Sequence, residues 1–514
     1  MERRMSEDTI QIIPTQNSLK GQTSCPQEQD DATIAPLTPA EKKVAHKLRR
    51  KIDIRILPVV FIVYIMNFVD RTNYASARLQ GLEEDLSLSE TEYQAGLSAF
   101  YVGYMIGQVP ANMTLAWFGR PSVHMAIVTC AWGTVSALTA LVRGFSGLLI
   151  CRIVLGFVEA PFFPGVIFAL SKWYTRDELA FRMAIFFSGN LFAGAFGHLL
   201  AAGILNGIGH AHGLTPWQWL YIIEGAITVA LGVAVYFVLP DFPETWQSLS
   251  QEEYEVVTRR LTAEATEADV DEAGFKAQIK GLKMALTDVK TYLFAVAQML
   301  VLACGGLLNY FPSITATLGY NHFTTLLLCA PPHIFAIVWI LIHAWLSDKL
   351  SRRFWFFVYP APLTIIGFIL LLTTNGVGPR YFSLFLVQSF NFMSSTTYAW
   401  LASSVPRPPA KRAAAIAIVN SCGSLASVWT PFIYFAPKFE LAMEVNIGLA
   451  CLAVILAISI RFVLVKSNGQ LARIEDMGIT LSEKELVKVQ KIADAEGVSI
   501  DVARKMHKGF RYVI

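Results

Sequence analysis

Arg152 and Glu159 stand seven residues apart in an otherwise apolar run, CRIVLGFVEAPFFPGVIF. That spacing is about two helical turns, so both project from one face. A guanidinium that keeps its charge beside a carboxylate that can take a proton is a device for exchanging anions. Once the glutamate is protonated, the released arginine offers a two-pronged seat to the carboxylate of an incoming molecule. A second pair, Asp70 and Arg71, ends the run ILPVVFIVYIMNFVDR, and Glu224 follows Trp219, Leu220 and Tyr221 in another. The alternative for both pairs is an ion pair that only locks helices together; for Glu224 that structural role is placed ahead of coupling.

Those residues need elements to position them, and composition says of what kind. The chain has 514 residues, 54% hydrophobic and only 16% charged, with a mean hydropathy of +0.46. Soluble globular proteins carry about 25% charged residues, which excludes an ordinary cytosolic enzyme, a nucleic-acid binder and a disordered scaffold. A bilayer core about 30 Å thick needs about 20 mostly apolar residues per helix. Twelve such windows occur, near Ile56–Asn73, Tyr93–Trp117, Val123–Leu141, Gly147–Leu170, Met183–Ile208, Trp217–Leu239, Tyr292–Phe311, Thr324–Leu346, Trp355–Thr374, Tyr381–Leu401, Ala413–Phe435 and Val445–Val465. Each ionisable residue inside a window costs about 2.5 to 3.5 kcal/mol to insert, so each is a functional candidate.

The expected organisation is an all-α membrane protein of twelve transmembrane helices in two six-helix halves: a cytoplasmic tail 1–54, a first bundle 55–239, a polar central loop 240–290, a second bundle 291–466 and a cytoplasmic tail 467–514. A short helix is expected around Ser482–Ala493. Lys and Arg crowd before span one and in the even-to-odd loops, including Arg176, Arg182, Lys349, Arg352, Arg353 and Lys411, which places both ends in the cytoplasm. Seven cysteines form no CxxC or metal-ligand spacing, and no catalytic motif or histidine cluster occurs, so no cofactor, metal or enzyme activity is expected.

The second half is poorer in charge. It offers Asn309 and Tyr310 in span seven, Gln388 and Asn391 in span ten, and Asn420 in span eleven. Such groups either bridge helices or orient a bound molecule. Span five is rich in small residues (Ser188-Gly189-Asn190, Ala193-Gly194-Ala195), which lets helices approach closely. Pro161 and Pro164 break the hydrogen-bond ladder just after Glu159.

The stretch Arg152 to Glu178 (RIVLGFVEAPFFPGVIFALSKWYTRDE), with FVDRTNYASARL, AGAFGHLLAAGI, WQWLYIIEGAITVALGVAVYFVLPDFPETW, AWLSDKLSRR and the ending FRYVI, resembles the anion:cation symporter group of the major facilitator superfamily, which includes fungal allantoate, nicotinate and pantothenate carriers. The resemblance covers nearly all of residues 45–514. It implies a proton-coupled carrier of organic anions in which Arg71 and Arg152 hold the substrate carboxylate while Glu159, with Asp70, carries the proton. Asp348, Arg352 and Arg353, in the loop after span eight, match a cytoplasmic latch for one conformation. Two departures stand out: Phe68 replaces a frequent tyrosine, and the loop after span two, Trp117-Phe118-Gly119-Arg120-Pro121, lacks the usual aspartate.

The expectation is therefore a monomeric plasma-membrane importer of a small organic acid with protons. Its rival is a proton-driven exporter of a metabolite or toxin, disfavoured because span five has Gly194 and Gly197 but no proline where exporters carry GxxxGPxxG. A non-transporting nutrient sensor is a third possibility; tails of about 50 residues with no domain-like apolar pattern weigh against it.

Overall fold

The computed structural model describes residues 38–118, 120–171, 173–174, 176–208, 211–243, 246, 249–268, 275–350, 352–405, 409–435 and 439–476. The Ser482–Ala493 helix, the FRYVI ending and most of both tails lie outside them. Among the described residues every regular element is helical, as lipid demands of a chain that must satisfy its backbone within each segment. Among the described residues ten helices are long and apolar enough to cross a membrane. The remaining two windows are helical as well, one as Glu90–Phe118 and the other as Val377–Val387 followed by Phe390–Ser404.

Local sequence sets the helix ends. The first helix runs Pro39–Arg78, beginning well before its apolar window, because Thr38 and Glu41 form a capping box and Pro39 takes a position that needs no N–H. Thr215, Pro216 and Gln218 repeat the device for Pro216–Val238. Span four stops at Glu159 and resumes at Phe162, so the break falls where Pro161 removes a donor. Span seven passes through a short 3-10 helix at Gly305–Tyr310, and span ten breaks at Gln388 and Ser389.

Polarity is reversed relative to a soluble protein. Phe237, Phe462 and Ile106 face outward, while Asp70, Arg152, Glu159 and Glu224 are buried. With lipid outside, apolar burial does not hold helices together; close packing and polar contacts do. Spans two and four meet backbone to backbone, and a Cβ added at Gly156 would collide with the Phe100 carbonyl. Gly156→Val should therefore lower the unfolding temperature in detergent, by the equivalent of about 1–3 kcal/mol or more. Gly203→Val, in open space, should not.

The face bearing the chain's described ends is laced with ion pairs. Asp53 takes both arms of Arg182 at 2.7 and 2.6 Å, joining spans one and five. Asp288 and Lys411 join spans seven and eleven at 2.9 Å, the matching positions of the second half. Glu178 accepts Arg49 at 2.9 Å and Arg260 at 2.6 Å, tying the loop after span four to the helix Gln251–Ala268. Burial pushes the Glu178 carboxyl up, but Arg260 and Arg49 outweigh it and hold the group below the ordinary 4.5. A depressed carboxyl stabilises the fold above its unfolded value and loses that contribution as pH falls through it. Thermal unfolding followed from neutral pH to below pH 4.5 should thus show a shallower acid decline in Glu178→Gln than in the parent.

On the opposite face the two halves touch. Gln94 donates to the Tyr434 carbonyl at 2.7 Å and Ser98 to the Val428 carbonyl at 2.7 Å. Tyr93 meets Tyr310 edge-on, and Tyr310 stacks on Tyr434 at 4.5 Å. Span five reaches span eight where His198 and His333 rings lie 5.5 Å apart, and Gly194 leaves room for the His333 ring.

Candidate functional site

Arg71, on the last turns of the first helix, reaches span four: its Nε and a terminal nitrogen both donate to Glu159 Oε1. Its guanidinium is held by Phe68, Phe100 and Tyr104, at 4.7, 5.2 and 4.8 Å from the ring centres. An aromatic cage strengthens a cation's placement where water is excluded. Phe68 thus lies against Arg71, and Tyr104, from span two, brings a phenol ring to the same cation. The second oxygen of Glu159 is buried without a partner at hydrogen-bonding geometry, with Asn67 beside it.

Arg152 is not bonded to Glu159, although both sit on one helix face. Its Nε donates to the Gly96 carbonyl at 3.3 Å, and its guanidinium lies over the Tyr74 and Phe100 rings at 4.5 and 5.1 Å. Its Nη1 is buried with no hydrogen-bond partner among the described residues. An unsatisfied cationic donor inside a bilayer is costly, so it has the character of a place kept for an anion. Phe100 lies under both arginines, so the two cations flank one ring.

Asp70 turns away from its neighbour. It accepts from Trp132 Nε1 at 3.0 Å, Ser136 Oγ at 2.9 Å and Thr228 Oγ1 at 3.4 Å, on spans three and six. Glu224 of span six is fully buried, and neither carboxylate oxygen has a partner.

In the second half, Asn391 Nδ2 donates to the Gln388 carbonyl at 3.1 Å and to its Oε1 at 2.9 Å across the break in span ten, while among the described residues the buried Gln388 Nε2 has no partner. Tyr310 lies in the contact between the halves and donates to the Pro431 carbonyl at 3.2 Å; Asn309, on the same short helix, is half-buried. Asn420 accepts from the Tyr398 hydroxyl at 3.0 Å, and Gln298 donates to Ser394 at 2.9 Å. Tyr64 meets Phe68 edge-on, with ring centres 4.9 Å apart. Gln298, Ser394 and Tyr398 escaped the sequence reading, as did Tyr64, Asn67 and Tyr104. Uncharged polar residues inside apolar windows are too common to single out; the signal available was their spacing, as in Ser394 and Tyr398 one turn apart. Asp348 pairs with Arg353 at 2.6 Å on the face of the chain ends, next to exposed Arg352, remote from the buried charges.

The family model described as Major Facilitator Superfamily matches residues 60–431. The MFS-type transporter cnsO of Penicillium expansum is 32% identical over 446 residues, 82% of this chain and 84% of its own. The major facilitator-type transporter hxnP of Emericella nidulans is 30% identical over 413 residues, 78% and 81% of the two chains. Among solved structures, a bacterial homologue of the human lysosomal transporter Spinster, inward-facing and occupied, aligns with a TM-score of 0.62 at 15% identity, covering 80% of this chain and 97% of that one. The xylose transporter XylE from E. coli, in a partially occluded inward-open conformation, aligns at 0.55 and 17% identity, covering 78% and 98%.

Proposed function

The chain belongs to the Major Facilitator Superfamily and is a multi-pass membrane transporter, and from that premise we propose that it imports a small organic anion together with protons, as a member of the anion:cation symporter group. The observation that carries this is the buried Nη1 of Arg152, unpartnered beside an arginine that Glu159 already holds. Arg152 receives the substrate carboxylate first. Protonation of Glu159 then releases Arg71, whose aromatic cage keeps it in place as the second arm.

With anion and proton both bound the site is close to neutral, and the halves can rock past an occluded state without stranding a charge in low dielectric. Tyr398, Gln298 and Asn420 supply hydrogen bonds from the second half, with Gln388, Asn391, Asn309 and Tyr310 in supporting positions. The Tyr93–Tyr310 and Gln94–Tyr434 contacts close one face, and Asp348 with Arg352 and Arg353 serves the other as a latch. The protein acts as a monomer in the plasma membrane, needs no cofactor, and has both ends in the cytoplasm. The two bundles, 55–239 and 291–466, are the rocking bodies, and the 240–290 loop joins them.

Competition in liposomes tests the carboxylate requirement. Nicotinate, pantothenate, allantoate, biotin and tartrate are offered against uncharged partners such as nicotinamide. At least one acid should be taken up and its neutral analogue ignored; an acid and its neutral analogue carried equally well would refute the arginine seat.

A further inference from the structure

We propose that Asp70 and Glu224 share a proton and form a second proton-loading site, separate from the Arg71–Glu159 pair. Both side chains are at 0% exposure. Glu224 lies eight residues into the helix Pro216–Val238, about 12 Å from its end at 1.5 Å per residue. Thr228, one turn beyond Glu224 on the same helix face, donates to Asp70 at 3.4 Å, which sets the Glu224 face of that helix against a carboxylate of its own sign.

Among the described residues neither carboxyl has a cation bonded to it. Arg71, next to Asp70 in sequence, is spent on Glu159, and Arg152 lies over Tyr74 and Phe100. Two buried like charges without a counter-ion cannot both persist, and one proton shared between two carboxyls removes the conflict. The donors decide where that proton rests. Asp70 accepts three hydrogen bonds, from Trp132, Ser136 and Thr228, and so is suited to be the anion. Both oxygens of Glu224 lack a partner, so Glu224 is suited to be the acid, free to turn its O–H toward Asp70.

The other titratable groups around the pair are few. Tyr221, one turn before Glu224, is buried with its hydroxyl unpartnered and senses Glu224, Asp70 and Arg152. Glu159 acts on Asp70 from span four. His198, on span five, bonds to Ser76 and faces His333 instead. The site is thus electrostatically linked to the Arg71–Glu159 pair while sharing no hydrogen bond with it. Its part in transport rests on the proton-coupled reading above: Glu159 carries the proton that is moved in each cycle, and the shared proton keeps the neighbouring pair at a single negative charge.

The test needs no substrate. Infrared spectra of the full-length chain in liposomes report the carbonyl stretch of protonated carboxyls. The parent and Glu159→Gln should show a buried-carboxyl band at neutral pH. Glu224→Gln should lack it, and Asp70→Asn should shift its frequency. Raising the pH should remove the band reversibly in the parent. Glutamine mimics the protonated acid, so Glu224→Gln should unfold at the parent's temperature; should it not fold, the Asp70→Asn shift decides alone. An unchanged band in Glu224→Gln, no shift in Asp70→Asn, or a parent band indifferent to pH wherever the chain stays folded would each overturn the proposal. Failure of the proton-coupled reading would appear elsewhere, as driven uptake surviving in Glu159→Gln while the Glu224 band is intact.

Discussion

Glu159→Gln should abolish accumulation of substrate against its gradient while leaving exchange across preloaded liposomes intact. A pH difference of one unit is worth about 1.4 kcal/mol per proton, or about tenfold in the concentration ratio it can sustain. A carrier using Glu159 as its proton site therefore falls from about tenfold accumulation per pH unit to none above equilibrium. Glutamine preserves the volume and one oxygen acceptor for Arg71 but cannot hold the charge that Arg71 pairs with. The arginine is then permanently free, so binding and exchange persist and only the coupling is lost. Initial uptake with and without an imposed pH gradient, compared with counterflow in the same liposomes, reads this directly.

Removal of Arg152 should act on binding instead. Truncating one partner of a buried, hydrogen-bonded charge pair costs about 2–5 kcal/mol, at least about thirtyfold in affinity. Arg152→Gln is expected to raise the half-saturation concentration by that factor or to silence uptake. Arg152→Lys should recover little, because an ammonium lacks the flat fork that grips a carboxylate with two parallel bonds and cannot lie over Tyr74 and Phe100 as the guanidinium does. Concentration dependence of counterflow in the two variants, beside Glu159→Gln, separates a binding defect from a coupling defect.

Much of this was legible in the residues. Apolar windows about 20 residues long locate the helices because lipid leaves the backbone few alternatives, and charges inside those windows had to be buried together. Pro161 marked the break in span four correctly. Which charges meet was not legible. Arg152 and Glu159 share a helix face, yet Glu159 bonds across to Arg71 and Arg152 reaches the Gly96 carbonyl. Helical spacing places two side chains on one face without saying which neighbouring helix each addresses. Asp70 was read beside Glu159, whereas its hydrogen bonds come from Trp132, Ser136 and Thr228, on spans whose adjacency is a matter of tertiary packing. Glu224 was read as structural because it stands near tryptophan and tyrosine at a helix end; its lack of any hydrogen-bond partner is visible only once the helices are assembled. The break in span ten carried no interior proline to betray it, and that in span seven is followed by Pro312, one residue past the window read from the sequence.

Proton movement during transport tests the central claim most directly. Purified protein in lightly buffered liposomes, with the membrane potential clamped, is given the acid that supports uptake, and the external pH is followed beside Glu159→Gln. The account predicts alkalinisation of the medium that starts with uptake, scales with it and is absent in the variant. Acidification on uptake, or uptake with no proton movement, would contradict it.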